Sequence, residues 1–469
     1  MSPTPSSCTS MMSMLSCLFR SVVLVVVVAA ATQAASSGVP FGHDVLSEHF
    51  LLNYTNFNHG SYGACPHSVL DYQSSLRQQQ EQQPDIWMRH QYRILLNETR
   101  QKVADNVGLV DDDRDGLVIV ESASTAVNAI LRSYSWQPGD VILYFSVAFG
   151  MVKNTALWLQ QERGIQIVEA PVVFPISEDQ AETAFLDSMQ AALQNLQNAS
   201  NLTKLKMVVL DHIVSNPAVK EPIQELANMI KAHNPDCYIL IDGAHAMGQI
   251  QQLQLSSMQN IDAYLSNGHK WLYSPKGSAF LWVNTTSSSV INHSTFPEPT
   301  VISKENIIGN TSLLQRFEYV SARDYTAFLA MAAAIDFRRD VLGGDNAIYY
   351  YCRTLAIQAK HYLMNLWNVT AMAPDSMEEF MINIELPKEI HSTTMGLALH
   401  NHLLQQHNIY MPIVHYEPTD RYFTRLSSQV YLEFKDFQRM GDLVLEFVQR
   451  EKQTDAPRRQ ESIQEVIVE

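Results

Sequence analysis

Six short apolar runs recur along the first two-thirds of the chain: Gly116–Val120, Val141–Phe145, Ile165–Val168, Met207–Leu210, Tyr238–Ile241 and Ala279–Val283. Segments with helical periodicity separate them, such as Thr125–Ser133 and Ile223–Ala232. Runs this short and this continuously apolar fit strands buried on both faces. Strands that alternate with helices imply a mostly parallel sheet with helices on both faces, an α/β fold that binds ligands at the carboxyl ends of its strands. The pattern changes at about Tyr319. Helices are expected over Asp324–Arg339 and Tyr349–Trp367, then short strands near Glu379–Asn383 and Arg421–Tyr431. The expected plan is an N-terminal arm over 36–65, a large domain over 66–318, a smaller C-terminal α+β domain over 319–450, and a loose, charged tail over 451–469. The stretch Pro66–Val107 reads as helix broken at Pro84.

With 469 residues, 46% hydrophobic and 17% charged, the chain can bury one large core and one smaller one. A net charge of −16 argues against nucleic acid or an anionic membrane face as partner, since either calls for a basic surface. At the N-terminus, Arg20 precedes the apolar run Val22–Ala31 and the small residues Thr32–Ser37. This reads as a signal peptide over 1–35, or as a retained type II anchor if Met11–Phe19 extends the apolar run. Asn-x-Ser/Thr triplets at Asn53, Asn97, Asn198, Asn201, Asn284, Asn292, Asn310 and Asn368 agree with a glycoprotein of the secretory pathway, secreted or lumenal, with membrane contact only if the leader stays. Cys65, Cys237 and Cys352 remain beyond the leader, at wide spacing, and give neither a disulfide framework nor a zinc pattern. No metal is expected: Asp111, Asp113, Asp115 and Gly116 imitate the start of a calcium loop, but Ser122 stands where its bidentate Glu belongs.

Chemistry enters where Asp242 follows the run Tyr238–Ile241 and where Asn267-Gly-His-Lys270-Trp271 follows later. A lysine that forms a Schiff base with an aldehyde cofactor needs a carboxylate opposite to keep the cofactor's ring nitrogen protonated. Lys270 and Asp242 suit pyridoxal 5′-phosphate, although a surface lysine and a strand-end cap would read the same way. After Val120 comes Glu121-Ser-Ala-Ser124-Thr125, where a helix N-terminus and two hydroxyls could cradle a phosphate or merely cap the helix. Arg425, on an alternating strand, offers two parallel hydrogen bonds to a carboxylate, or a surface ion pair. No G-x-G-x-x-G, Walker A, H-E-x-x-H or G-x-S-x-G motif occurs, which removes dinucleotide, NTP, zincin and α/β-hydrolase readings as leading options.

Asn58-His-Gly-Ser-Tyr-Gly63, Asp242-Gly-Ala-His245, Asn267-Gly-His-Lys-Trp-Leu272, Ser274-Pro-Lys-Gly-Ser-Ala-Phe280 and Arg425-x-Ser427-x-x-x-Tyr431 occur in this order. Together they resemble the class V aminotransferase family of fold-type I pyridoxal-phosphate enzymes, in its isopenicillin N epimerase-like branch, from about Asn58 to Val448. The resemblance implies that Lys270 carries the cofactor and moves protons while Asp242 pairs with the ring nitrogen. It places His245, with Ser215 or Asn216, near the phenolic oxygen, and gives the phosphate to Ser124, Thr125, Asn267 and His269. Phe149 would stack on the ring, Arg425 would take the substrate carboxylate, and the arm with Asn58 and His59 would border the substrate. It further implies an α-amino acid substrate, epimerase, β-lyase or aminotransferase chemistry, and a homodimer. Two departures stand out. Ser321-Ala322 replaces a Gly-Thr whose threonine can reach a neighbouring subunit's phosphate, and Phe149 replaces a histidine and so offers no acid or base. The alternative is a non-catalytic binding protein of the same fold.

Overall fold

Pro84 divides the first long helical stretch, as proline must where it would interrupt an i→i−4 ladder. In the computed structural model, which describes residues 41–285, 296–303 and 311–466, α1 (His67–Gln82) ends there, and short helical turns lead into α2 (Tyr92–Asn106). The leader and the triplets at Asn292 and Asn310 lie outside the described residues.

The alternation then unfolds as expected: β1 (Leu117–Val120), α3 (Ala123–Ser133), β2 (Val141–Phe145), α4 (Gly150–Arg163), β3 (Gln166–Ala170), α5 (Ala184–Asn198), β4 (Leu205–Asp211), α6 (Ile223–His233), β5 (Tyr238–Asp242), β6 (Ala263–Asn267) and β7 (Ala279–Val283). They form one seven-stranded sheet in the order β1-β7-β6-β5-β4-β2-β3, parallel except for β7, which runs antiparallel to both its neighbours. Alternate residues feed opposite layers: Leu117 and Ile119 join the larger core, Val118 and Val120 the other. Only the edge strand β3 shows exposed positions, which is why its run is the least apolar of the set. The sequence reading missed β6. Its residues Ala-Tyr-Leu-Ser-Asn carry no β-branched side chain, yet all five are buried.

Beyond it lie α7 (Thr326–Asp340), α8 (Asp345–Trp367), β8 (Met381–Glu385), α9 (Thr393–His407), β9 (Val414–Tyr416), β10 (Arg421–Ser427) and α10 (Phe434–Val466). The three strands make a small antiparallel sheet, β9-β10-β8, with Arg425 opposite Asn383. The arm reaches this region directly, since Thr55–Asn56 pairs in parallel with Ile409–Tyr410. The tail expected to be loose is helical to Val466. Its Glu, Lys, Arg and Gln residues are good helix formers, and extending a packed helix avoids the nucleation step that makes isolated helices unstable.

Candidate active site

The carboxyl ends of β4 and β5, the turn after β6, the start of α3, the start of α4 and the arm surround one cavity of about 250 Å³. Its lining includes Asp211, Asp242, His245, Asn267, His269 and Lys270 from the strand ends, and Ser122 and Ser124 from the turn into α3. Asp242 is buried in the last position of β5, and the Ala244 amide donates to its Oδ1 at 2.9 Å. Burial pushes its carboxyl up, while that amide and then Lys270 pull it back down.

Lys270 follows β6 by three residues in a turn that the arm holds from behind. His59 is fully buried there, with Nε2 2.8 Å from the Lys270 carbonyl and Nδ1 2.9 Å from the Tyr431 hydroxyl. A carbonyl only accepts, so the His59 proton sits on Nε2 and the tyrosine donates to Nδ1. Burial first, opposed by that carbonyl, brings His59 down to about 3, so it stays neutral. Gly63 closes the arm: at φ +66°, a Cβ there would meet the His269 carbonyl oxygen at 1.8 Å.

The Lys270 amine is likewise set up for nucleophilic use. Burial, then the Arg425 charge, lowers it from 10.5 to about 7, against the pull of Asp242 and Asp211. Its Nζ lies 3.0 Å from His245 Nε2, and the Trp271 indole N–H reaches His245 Nδ1 at 3.4 Å. Indole only donates, so Nδ1 accepts and the single proton of a neutral imidazole sits on Nε2. Burial holds His245 well below its ordinary range, hence neutral. Nε2–H then donates to a lone pair on Nζ, which requires Lys270 to be an uncharged amine.

The turn into α3 is narrower than expected. Ser122, not Ser124 or Thr125, caps the helix by accepting from the Thr125 amide at 3.1 Å, and the Thr125 hydroxyl lies 3.2 Å from Ser122 Oγ instead of lining the cavity. Asn267 Oδ1 accepts from the Ala123 amide at 2.9 Å, tying the end of β6 to the start of α3. His269 lines the same cavity with Nδ1 buried and without a hydrogen-bond partner, and burial followed by the Lys270 charge lowers it to about 4. Phe149, at the start of α4, lies on the open side with 48% of its surface exposed.

Arg425 lies beneath the other side, 4% exposed. Its Nη1 donates to the Ser215 carbonyl at 2.7 Å and to Ser215 Oγ at 3.3 Å, its Nη2 to Asn58 Oδ1 at 2.8 Å and Ser61 Oγ at 2.9 Å, and its Nε has no partner. Among the described residues no carboxylate pairs with it, and burial alone brings it down to about 10. Ser61 and Ser215 line the cavity above it, whereas Asn216 is exposed and turned away. Of the residues expected at the site, His59 and Asn58 therefore act behind the cavity wall. Sequence reasoning passed over Ser122, Met151 and Asp211, and reached Ser61 and Tyr62 only as part of the arm expected to border the substrate. Asp211 carried a readable signal, because it ends an apolar strand run just as Asp242 does.

A nucleophilic amine, a buried carboxylate with its own amide donor, an orphaned imidazole nitrogen beside small hydroxyls and an uncompensated guanidinium match pyridoxal 5′-phosphate and an amino acid. Comparison with known proteins agrees. The Aminotransferase class-V family model matches residues 68–440. A probable chloroplastic L-cysteine desulfhydrase of Arabidopsis thaliana is 26% identical over 419 residues, covering 84% of this chain and 83% of that protein. Isopenicillin N epimerase of Streptomyces clavuligerus is 24% identical over 336 residues, covering 69% of this chain and 78% of that protein. Among solved structures, a complex of the cystine C–S lyase C-DES with its reaction product cysteine persulfide shares the fold, with a TM-score of 0.67 at 20% identity, covering 84% of this chain and 98% of that one.

Proposed function

The chain belongs to the aminotransferase class-V family of pyridoxal-phosphate enzymes, and from that premise we propose that it is a carbon–sulfur β-lyase acting on a cysteine-type α-amino acid. When bound, the cofactor supplies an electron sink that acidifies the substrate's Cα–H. Lys270, Asp242, His245 and His269 are the residues that would hold it, with Ser122 and Ser124 beside its phosphate. Arg425, with its free Nε, would take the substrate carboxylate from beneath Ser61 and Ser215.

One observation carries the choice of reaction: among the described residues Lys270 is the sole amine lining the cavity, and Phe149 on the open side brings only a phenyl ring, while Tyr62, which also lines the cavity, is 73% exposed to solvent. A neutral amine of about 7 can take the Cα proton. As the Cα–H bond breaks, its electron pair forms the Cα–Cβ double bond, and the Cβ–S pair leaves on sulfur, which picks up a proton. The released enamine hydrolyses to a 2-oxo acid and ammonium. Epimerisation needs a proton held and delivered on the opposite face, and Phe149 cannot deliver one. Sulfur transfer to the enzyme needs a reactive thiolate. Burial holds Cys65 up at about 12, while Cys237 and Cys352 are fully buried and pushed higher still. The L-cysteine desulfhydrase among the relatives supports the same reading by its printed activity.

The holoenzyme incubated with L-cysteine and with S-alkyl cysteines is expected to release thiol, 2-oxo acid and ammonium in equal amounts, and Lys270→Ala to release none. Loss of the α-proton without thiol release would sink the β-lyase reading and favour epimerisation. The same proposal places the chain in the secretory pathway as a homodimeric glycoprotein. Asn53, Asn97, Asn198 and Asn368 are exposed, which supports that placement. A mass shift on N-glycan removal from protein made in eukaryotic cells tests it, and an unshifted mass refutes it.

A further inference from the structure

Glu221 is a buried acid that the chemistry above leaves idle. After β4 the chain makes a short excursion in which Ile213 bridges Lys220, and the Glu221 amide donates to the His212 carbonyl at 3.2 Å, returning Glu221 to the end of β4. The residue is 2% exposed, and neither carboxyl oxygen has a hydrogen-bond partner. An anion there would have lost its water with almost nothing in exchange. Asp211, the last residue of β4, is in register with Asp242 on β5, so the two side chains emerge on one face of the sheet, and both line the cavity. Asp242 has the Ala244 amide as a donor. Asp211 has no such donor.

Among the described residues, the surrounding groups supply too little positive charge to neutralise three carboxylates. His212 Nδ1 is paired with the Tyr264 hydroxyl at 2.6 Å, Lys220 is paired with Glu379 at 2.7 Å, and Lys270 is the amine already described. Burial and then the Asp211 charge push Glu221 well up, with a smaller opposing pull from the Asp211 amide. Burial and then the Asp242 charge push Asp211 up, against Lys270.

We propose that Asp211 and Glu221 stay protonated as a carboxylic-acid pair, and that Asp211, kept neutral beside Glu221, turns its proton toward Asp242 and makes Asp242 the one anion facing the cofactor's ring nitrogen. Glu221 is then a positioning residue that acts through Asp211. The proposal rests on the family's cofactor and not on the β-lyase reading, so sulfur chemistry can fail without touching it.

Three measurements on the holoenzyme test it. The infrared spectrum at neutral pH is expected to contain the carbonyl stretch of buried neutral carboxylic acids, reduced in both Glu221→Gln and Asp211→Asn. Held above its unfolded-state value of about 4.3, Glu221 favours folding below that value and loses its contribution as pH rises through the folded value. The melting temperature of the wild type should therefore fall relative to Glu221→Gln as pH rises above about 5. The pH midpoint of the bound cofactor's absorbance should stay in place in Glu221→Gln and Asp211→Asn, which keep a neutral donor, and move by about one unit in Asp211→Leu, which has none. A missing acid band, a melting gap that does not widen with pH, or equal midpoints in Asp211→Asn and Asp211→Leu would each overturn the proposal.

Discussion

Burying an amine next to a guanidinium has a stability cost, and Lys270→Met measures it. In the folded, cofactor-free chain Lys270 falls from 10.5 to about 7, chiefly through burial and then Arg425. At 1.36 kcal/mol per unit, the cation is disfavoured by roughly 5 kcal/mol, of which about 4 remains at pH 7, where half the amine is already neutral. Methionine has a similar shape and no charge. It gives up the hydrogen bond from His245 Nε2, worth about 1 kcal/mol, and structural relaxation around the native cation shrinks the gain further. The expected stabilisation is roughly 1–3 kcal/mol at pH 7. The sign follows from protons. Between about 7 and about 10.4 the unfolded chain binds more protons at this lysine than the folded one, so wild-type stability rises with pH across that window. The gap between Lys270→Met and the wild type should be largest below pH 7 and close near pH 10. Urea unfolding of both cofactor-free proteins at several pH values reads it directly. A variant less stable than wild type at pH 7, or a gap that ignores pH, refutes the account of Lys270 as a desolvated amine.

Two further substitutions separate the ends of the site. Arg425→Lys keeps a charge but loses the fork that grips Ser215, Asn58 and Ser61, so KM for the amino acid should rise about 10- to 100-fold in steady-state assays, with a smaller change in kcat. An unchanged KM would move the substrate carboxylate elsewhere. Gly63→Ala puts a methyl group into the His269 carbonyl at a positive φ, and should cost several kcal/mol in denaturant unfolding and lower cofactor occupancy; a neutral result would show that the arm does not brace the Lys270 turn.

How much of this was legible depended on whether physics left a periodic trace. Strands buried on both faces must be continuously apolar, so six of the seven in the large sheet could be read, and Asp242 could be placed at a strand end. The strand β6 escaped because position, not composition, buries it. The helix cap escaped for a related reason: Ser122, Ser124 and Thr125 are all competent hydroxyls, and only the backbone geometry selects Ser122. His59 looked like a substrate residue because its block sits near the reactive lysine in the family pattern, yet its ring is consumed in holding the Lys270 carbonyl. Glu221 left no trace at all, since a single acid in a polar loop reads as solvated until the fold turns it inward.

The assembled site keeps its charges at opposite ends with an amine lowered to about 7 between them. Asp242 supplies the anion, buried Arg425 the cation, and His245 and His269 are both held neutral. The phosphate end is correspondingly lean. Of the first amides of α3, Ala123 is spent on Asn267 and Thr125 on Ser122, which leaves the Ser124 amide, the helix dipole and neutral side chains. Among the described residues no arginine lines the cavity there, and its one lysine is Lys270 itself. Arg425 is thus the proposed anchor for an anion on the substrate side. On the proposed reading an α-amino acid brings a carboxylate to that guanidinium, whereas an amine lacking one would leave it buried without a counter-ion, so selection for amino acids would arise from the anion that Arg425 lacks.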